Sequence, residues 1–407
     1  MWKPITGGRD NSQVGAQSVA PLGNGVAWFV GGNSALRASG GMFQTPRNAC
    51  CHLFGMAAND PSDLWFVGER ALLMHYDGTR YHLDQSLTRL IDLDALDGDR
   101  PVALYGIWRS PPIVDPIIDS TTTDLWAVGA KGMVWRRDTP PGLGPAHLRN
   151  SPWEAIPVPP SAREARLLDV WGASADQLWV VGLTGDVDHG PAFGVLLEWD
   201  GTRLFEPTIT NRPDRLGGLR ALAGSGPDDV WAVGRGDELY HFDGRVWSAH
   251  PLGESLNLNH ATSTGPGRIL AGGAPDTFFS GACFGLLVDV DLARPDPIRI
   301  HRLGADEPVL ASWASGSRAD GSGALPPTSP DDPAGSALGI GIAFDSQYRP
   351  WLAVDDTWKP LDARWLNASL RSESRLVSDG KHLWLLGLDG SAFKSPPIGT
   401  DLLTPPR

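Results

Sequence analysis

One phrase returns along this chain: Asp, an apolar residue, Trp, another apolar residue, Val and Gly. It stands as SDLWFVG at 62–68, TDLWAVG at 123–129 and DDVWAVG at 228–234, while DQLWVVG at 176–182 carries one extra residue after its Asp. KHLWLLG at 381–387 is a fainter copy. Self-similarity at this spacing marks a solenoid or propeller, in which each unit buries its apolar faces only against its neighbours. The repeat therefore constrains architecture more tightly than chemistry.

The stretch DDVWAVGRGDELYHFDGRVWSAHPL at 228–252 shows the plan of a unit. Val230 to Val233, Leu239 to Phe242 and Val246 to Leu252 read as strands, and a further strand precedes the Trp motif in LLDVWGAS at 167–174 and LRALAGSG at 219–226. The Asp-Gly pairs at Asp77-Gly78, Asp200-Gly201 and Asp243-Gly244 predict two-residue hairpins with positive φ at both positions. Four antiparallel strands per unit, here a to d from the inside outward, describe a β-propeller blade; ankyrin or TPR repeats would show 3.6-residue periodicity.

The fold class expected is all-β, a single propeller at 1–395 followed by a Pro-rich tail at 396–407. Trp28, Trp65, Trp126, Trp179, Trp231 and Trp384 mark six b strands, and degenerate blades around RILAGGA at 268–274 and SALGIGIAF at 336–344 bring the count to eight. Seven is the alternative, should 23–46 or 309–362 not form a blade. The last blade lacks an outer strand, and Trp2-Lys3-Pro4-Ile5 matches the outer-strand pattern of Trp153-Glu154-Ala155-Ile156. The N-terminal strand is thus expected to join the C-terminal blade and close the ring, removing an open sheet edge.

Composition fits one large β-domain, with 49 Gly and 35 Pro for the turns and 17 Trp for packing between blades. A formal net charge of −13 repels nucleic acid and anionic membranes at long range, so neither is an expected partner. No apolar stretch approaches the roughly 20 residues of a membrane span. Cys50, Cys51 and Cys283 cannot make a disulfide framework, and the start MWKPITGGRDNSQ lacks the apolar core of a secretory signal. Both point to the cytoplasm.

The repeat resembles the Trp-rich propellers of many bacterial proteins with DVWAVG-type repeats, and is similar at lower resolution to tectonin, Asp-box and WD-like blades. TDLWAVGAKGMVWRRD, continued by SPWEAIPV, looks most like a tectonin unit. SADQLW at 174–179 and SDGKHLW at 378–384 lack the Ser-x-Asp-x-Gly-x-x-Trp spacing of an Asp-box hairpin. The resemblance implies a fold and a broad binding role.

Repetition argues against catalysis by the most conspicuous polar residues. Asp63, Asp124, Asp176 and Asp229 recur before the Trp, where a carboxylate can accept backbone N–H bonds, whereas a catalytic acid is needed once or twice per protein. His75 and His241 occupy equivalent sites in MHYDG and YHFDG, which suggests a strand-stabilising role over metal binding. Asp186, Asp188 and His189 offer oxygen and imidazole ligands without further ligands at diagnostic spacing. No GxSxG, HExxH, phosphate-binding GxxxxGK[ST] or paired CxxC motif occurs. No metal or cofactor is expected.

Any site assembled from several blades would form at the channel, for which the inner strands offer His52, Arg109, Asp169, Arg220, His260 and Arg375; mutual pairing or solvation is the simpler role for them. Insertions are more informative, because they must leave a propeller at its faces. The d-to-a and b-to-c connections share one face and include 85–103, 183–194, 206–218 and 274–283. Leu87, Leu90 and Ile91 fall at i, i+3 and i+4, so the first insertion is expected to carry a short amphipathic turn of helix, packed on the blade beneath or touching a partner. Phe278 and Phe279 are further apolar anchors, and Asp186, Asp188, Arg212 and Arg215 a charged rim, the composition of an interface.

The function expected is a non-enzymatic protein-protein interaction scaffold or regulatory subunit of a bacterial multi-component complex. Two alternatives stand beside it: a carbohydrate-binding, tectonin-like lectin, and a hydrolase or lyase with its site at the channel mouth.

Overall fold

The computed structural model describes residues 51–60, 63–91, 96–97, 100–110, 113–115, 120–139, 152–185, 192–211, 216–276 and 285–303, with strand segments at 3–4, 18–21, 26–31, 34–39, 42–44, 309–314, 341–345, 350–354, 357–360, 375–378, 383–386 and 392–394. The chain is all-β, built from four-stranded antiparallel sheets. Leu53–Asp60, Asp63–Gly68, Leu73–Tyr76 and Tyr81–Leu83 form strands a to d of the Trp65 sheet. Leu104–Arg109, Ser120–Gly129, Val134–Thr139 and Glu154–Ala155 form the Trp126 sheet. Arg166–Ser174, Gln177–Gly185, Ala192–Trp199 and Leu204–Phe205 form the Trp179 sheet.

The Trp231 sheet is more continuous than its sequence suggests. Leu219–Gly226 is strand a, and b and c run together as Asp229–Phe242. Trp247–Gly265 is d at its start and strand a of the next sheet at its end, followed by Arg268–Pro275, Leu286–Asp291 and Ile298–Arg302. Part of the 206–218 insertion is itself a strand, Ile209–Thr210, lying parallel to Trp247 and Ser248. Ser18–Pro21, Val26–Gly31, Ser34–Ser39 and Met42–Gln44 pair in the same order, as do Val309–Ala314, Gly341–Asp345, Pro350–Val354 and Thr357–Pro360. In the last sheet Arg375–Ser378, Leu383–Leu386 and Ala392–Lys394 are joined by Lys3–Pro4, with Lys3 opposite Lys394. The a strands of the Trp65, Trp126, Trp179 and Trp231 sheets touch in succession.

The recurring phrase is explained by period-two alternation in a strand with both faces buried. Leu125 and Ala127 join the core between the Trp65 and Trp126 sheets, whereas Trp126 and Val128 join the core shared with the Trp179 sheet. Leu178 and Val180 turn back into that core while Trp179 and Val181 turn forward, and Val230, Ala232, Trp231 and Val233 repeat the arrangement. Each Trp thus seals its own sheet against the next one. An indole of this kind buries about 150–250 Å² and contributes about 4–6 kcal/mol on area alone. In Arg268–Pro275, Leu270 holds the place of the Trp, which is why that sheet lacks the phrase.

The closing Gly has a separate cause. Every fully described a–b ladder carries a register shift near the start of strand a, as between Leu53 and Gly55, Leu104 and Gly106, Leu167 and Asp169, and Leu219 and Ala221. That bulge pushes a carbonyl against the end of strand b. A Cβ on Gly68, Gly129, Gly182 or Gly234 would lie 2.0–2.2 Å from the carbonyl oxygen of His52, Ala103, Arg166 or Gly218 respectively.

The Asp-Gly turns differ from the two-residue hairpin expected. Tyr76 pairs with Tyr81, Trp199 with Leu204 and Phe242 with Trp247, so four residues form each loop. Only the Gly has positive φ, 87–88° in all three. The Asp instead folds its carboxylate over the loop: Asp77 Oδ1 accepts from the Thr79 and Arg80 amides at 2.9 and 2.7 Å, and Asp200 and Asp243 do the same. These bonds, led by that of the Thr202 hydroxyl, lower the Asp200 pKa to about 2.

Replacing Trp126 by Ala is expected to cost about 3–5 kcal/mol in urea unfolding, because the void opens between two sheets and neither can collapse into it alone.

Candidate functional site

The channel residues proposed from sequence divide by position. His52 precedes strand a of the Trp65 sheet, largely exposed, with its Nδ1 3.4 Å from Glu69. Asp169 follows the bulge of its strand and accepts from the Leu222 amide of the next sheet at 2.9 Å, so it links inner strands. Arg220 is the bulged residue of strand a in the Trp231 sheet, and His260 follows the bulge of the next. Arg109 lies at the far end of its strand, where it bonds Asp63 of the preceding sheet and the Thr123 hydroxyl. Arg375 opens strand a of the last sheet, opposite Leu386. The structure does not gather these six into one catalytic cluster.

The recurring Asp and His form a structural cassette. His75 lies opposite Trp65 on strand c, stacks on its indole at 4.3 Å between centroids, and its Nε2 is 2.8 Å from Asp63 Oδ1. His241 stacks on Trp231 at 4.1 Å and meets Asp229 Oδ1 at 2.8 Å. In the Trp126 sheet Arg136 takes the histidine's place, 5.6 Å over the indole and 2.7 Å from Asp124. The carboxylate holds a flat cation-capable side chain against the Trp, and that arrangement accounts for all three acids. Burial raises the Asp63 pKa, but the His75 bond and the Arg109 guanidinium outweigh it and hold it below the ordinary value.

The insertion after the Trp65 sheet is built differently. Asp84 caps the four-residue helix Gln85–Thr88 by accepting from the Ser86 amide at 2.9 Å, and its other oxygen bonds Arg137 on strand c of the next sheet. Arg137 is fully buried, its guanidinium carbon 5.7 Å from the Trp65 ring and 5.6 Å from that of Trp153. One ion pair therefore fixes the insertion to both sheets. Leu87 is buried in the shared core and Ile91 packs against it, so these two belong to the blade rather than to an exposed anchor. Leu90 is 56 % exposed and Leu83, at the end of strand d, 53 %.

Beside them lies a cavity of about 170 Å³ lined by Trp65, His75, His82, Leu83, Asp84, Gln85, Ser86 and Arg89. Small-molecule sites generally occupy about 300–1,000 Å³, so this one is sized for a single side chain. His82, Leu83, Arg89 and Arg137 belong to no repeated motif, so nothing in the sequence singles them out. Asp186, Asp188, Arg212, Arg215, Phe278 and Phe279 lie outside the described residues, as do 318–336 and 396–407. Among the described residues no group of three or more His, Cys, Asp and Glu could hold a metal ion, and no helix is long and apolar enough to cross a membrane.

Because the folded Asp63 has a lowered pKa, the unfolded chain binds more protons as the pH falls. Its contribution to stability is complete above the ordinary aspartate value of 3.8 and is lost as pH drops through the lower folded value. Asp63→Asn is expected to lower the urea midpoint at neutral pH and to flatten the loss of stability below that value, measured by fluorescence-monitored unfolding across the acid range.

No family model matches the chain, and no curated protein matches it in sequence. Among solved structures, BamB from Moraxella catarrhalis aligns with a TM-score of 0.53 at 10% identity, over 97% of this chain and 99% of that one. A structure titled YCF48 bound to D1 peptide aligns with a TM-score of 0.48 at 14% identity, over 85% and 93%. YCF48 from Cyanidioschyzon merolae gives 0.45 at 12%, over 84% and 95%. The likeness to BamB concerns the fold alone, and that fold is a β-propeller.

Proposed function

We propose that this chain is an eight-bladed, protein-binding propeller: a non-enzymatic scaffold or regulatory subunit that presents the d-to-a and b-to-c face to a partner chain. The observation that carries the reading is the surface beside the 85–88 helix. Two exposed leucines, Leu83 and Leu90, accompany a side-chain-sized cavity edged by His82, Gln85 and Arg89. An apolar anchor beside a polar rim is the arrangement of an interface hot spot. The Asp84–Arg137 pair holds this surface in place before any partner arrives, so little ordering entropy is lost on binding.

A lectin reading needs an exposed indole face on which a sugar ring can lie. Trp28, Trp65, Trp126, Trp179 and Trp231 are all buried, which favours the protein partner. The count of eight is supported by the sheets that follow one another from Ser18–Pro21 to Ala392–Lys394, with the merged pair between Leu219 and Arg302 taken as two blades. Closure of the ring is supported by the pairing of Lys3–Pro4 with Phe393 and Lys394, and by contact between Ser18–Pro21 and Arg375–Ser378.

Two measurements test this. The chain is immobilised alongside its Leu83→Ser, Leu90→Ser double variant and exposed to native-host extract, and any chain retained by the former is purified and titrated against both. A partner that binds the double variant more weakly by about 2 kcal/mol or more, while the variant melts as before, supports the reading; equal affinity moves the interface elsewhere, and binding to a glycan array with no protein partner replaces it with the lectin. Removal of residues 1–6 is expected to lower the melting temperature of the whole domain, and an unchanged cooperative melt would refute closure.

A further inference from the structure

Arg220 is half-buried and, unlike Arg137, Arg235 and Arg294, makes no ion pair with a carboxylate among the described residues. It is the residue squeezed out of the ladder by the strand-a bulge, between Leu219 paired with Gly234 and Ala221 paired with Val233. Bulges re-aim a side chain, and here the one re-aimed is a guanidinium. Its Nε is buried without a hydrogen-bond partner among the described residues. Arg137, Arg235 and Arg294 each bond a carboxylate, at Asp84, Asp276 and Asp289 respectively.

The surroundings of Arg220 hold more positive than negative charge. Arg235 leaves the end of strand b at the same place, its amide bonding the Gly218 carbonyl at 2.8 Å. The Arg235 Nε bonds Asp276 Oδ1 at 2.6 Å, and the Ser255 hydroxyl bonds the other oxygen at 3.1 Å, so the nearby carboxylate is already engaged. Burial, then the charge of Arg235, lowers the Arg220 pKa, and Asp276 offsets this only in part. Arg235 is 37 % exposed and Asp276 21 %, so solvent reaches the group.

We propose that Arg220 and Arg235 form a binding site for a carboxylate at the d-to-a and b-to-c end of the inner strands. Among the described residues, two guanidinium groups stand against one aspartate and leave a single positive charge, which a monoanion neutralises and a phosphate dianion would overshoot. The planar fork of arginine matches a carboxylate with two parallel N–H donors. Without a ligand, a desolvated guanidinium lacking its full set of partners costs stability, and a carboxylate bound there would recover it. The site stands independently of the Leu83 and Leu90 surface.

The test compares the full chain with Arg220→Met and Arg235→Gln by thermal melting at neutral pH, using acetate, inorganic phosphate and chloride at matched ionic strength. Arg220→Met is expected to melt above the wild type in chloride, because it replaces a poorly partnered charge by an apolar chain of similar length. Acetate should stabilise the wild type by more than it stabilises Arg220→Met, and Arg235→Gln should need about tenfold more acetate for the same gain. A short peptide with a free C-terminus that outperforms both acetate and its own C-terminal amide assigns the site to a chain terminus; acetate equal to the peptide assigns it to a small free acid. The proposal is overturned if Arg220→Met melts below the wild type in chloride, if acetate stabilises both equally, or if phosphate binds more tightly than acetate.

Discussion

Everything in this molecule depends on an indole that belongs to two sheets at once. Trp65, Trp126, Trp179 and Trp231 each rise from strand b of one sheet and complete the apolar core of the following one, so no sheet with such a neighbour owns a core that it could keep alone. The cassette polarises this contact. His75, Arg136 and His241 lie over the indole from strand c, and Asp63, Asp124 and Asp229 hold them there. A β-sheet buried on both faces would ordinarily read as a continuous apolar run; here the polar member of each cassette is partnered by an acid of its own sheet.

The same logic shows why so much of the fold was legible and where legibility ended. The order D-Φ-W-Φ-V-G encodes two opposed apolar faces and a close approach, and each letter has one physical cause in the structure. That Asp63, Asp229, His75 and His241 are structural could be read because they repeat at fixed offsets; that the acids bond side chains instead of the backbone amides expected of them could not. The geometry of the Asp-Gly loops could not, since the dipeptide favours a two-residue turn unless the carboxylate captures two loop amides, as Asp77 does. Asp84 and Arg137 are far apart in sequence and meet across a blade boundary; neither repeats, so nothing in the chain announces them. Leu87 and Leu90 show the same limit within one turn of helix. Spacing placed them on a common stripe, but only the packing of the next sheet decides that the first is covered and the second open.

Charge divides the two ends of the strands. At the a-to-b end Arg109, Asp63, Asp124 and Asp229 are consumed in pairs that tie strands and sheets together. At the other end the bulges crowd carbonyls against the motif glycines, which leaves no room for side chains at the ends of b and displaces one residue of each strand a from its ladder. In the Trp65 and Trp126 sheets the displaced residues are Phe54 and Tyr105, whose rings lie 5.4 Å apart and cover one another. In the Trp231 sheet the displaced residue is Arg220, which meets no aromatic ring in this way among the described residues.

That contrast separates structural from functional polarity in this chain. A buried cation that bonds an acid, as Arg137 does, is part of the fabric: removing either partner strands the other. A cation displaced by a bulge and left with a second arginine for company performs no such service, because the bulge forms as well around an apolar residue, as Leu168 of the Trp179 sheet shows at the equivalent position. The fold needs the bulge but not the charge placed on it. The d-to-a and b-to-c end of the strands, where Arg220 lies, is also the end that carries the Gln85–Thr88 helix and the exposed Leu90.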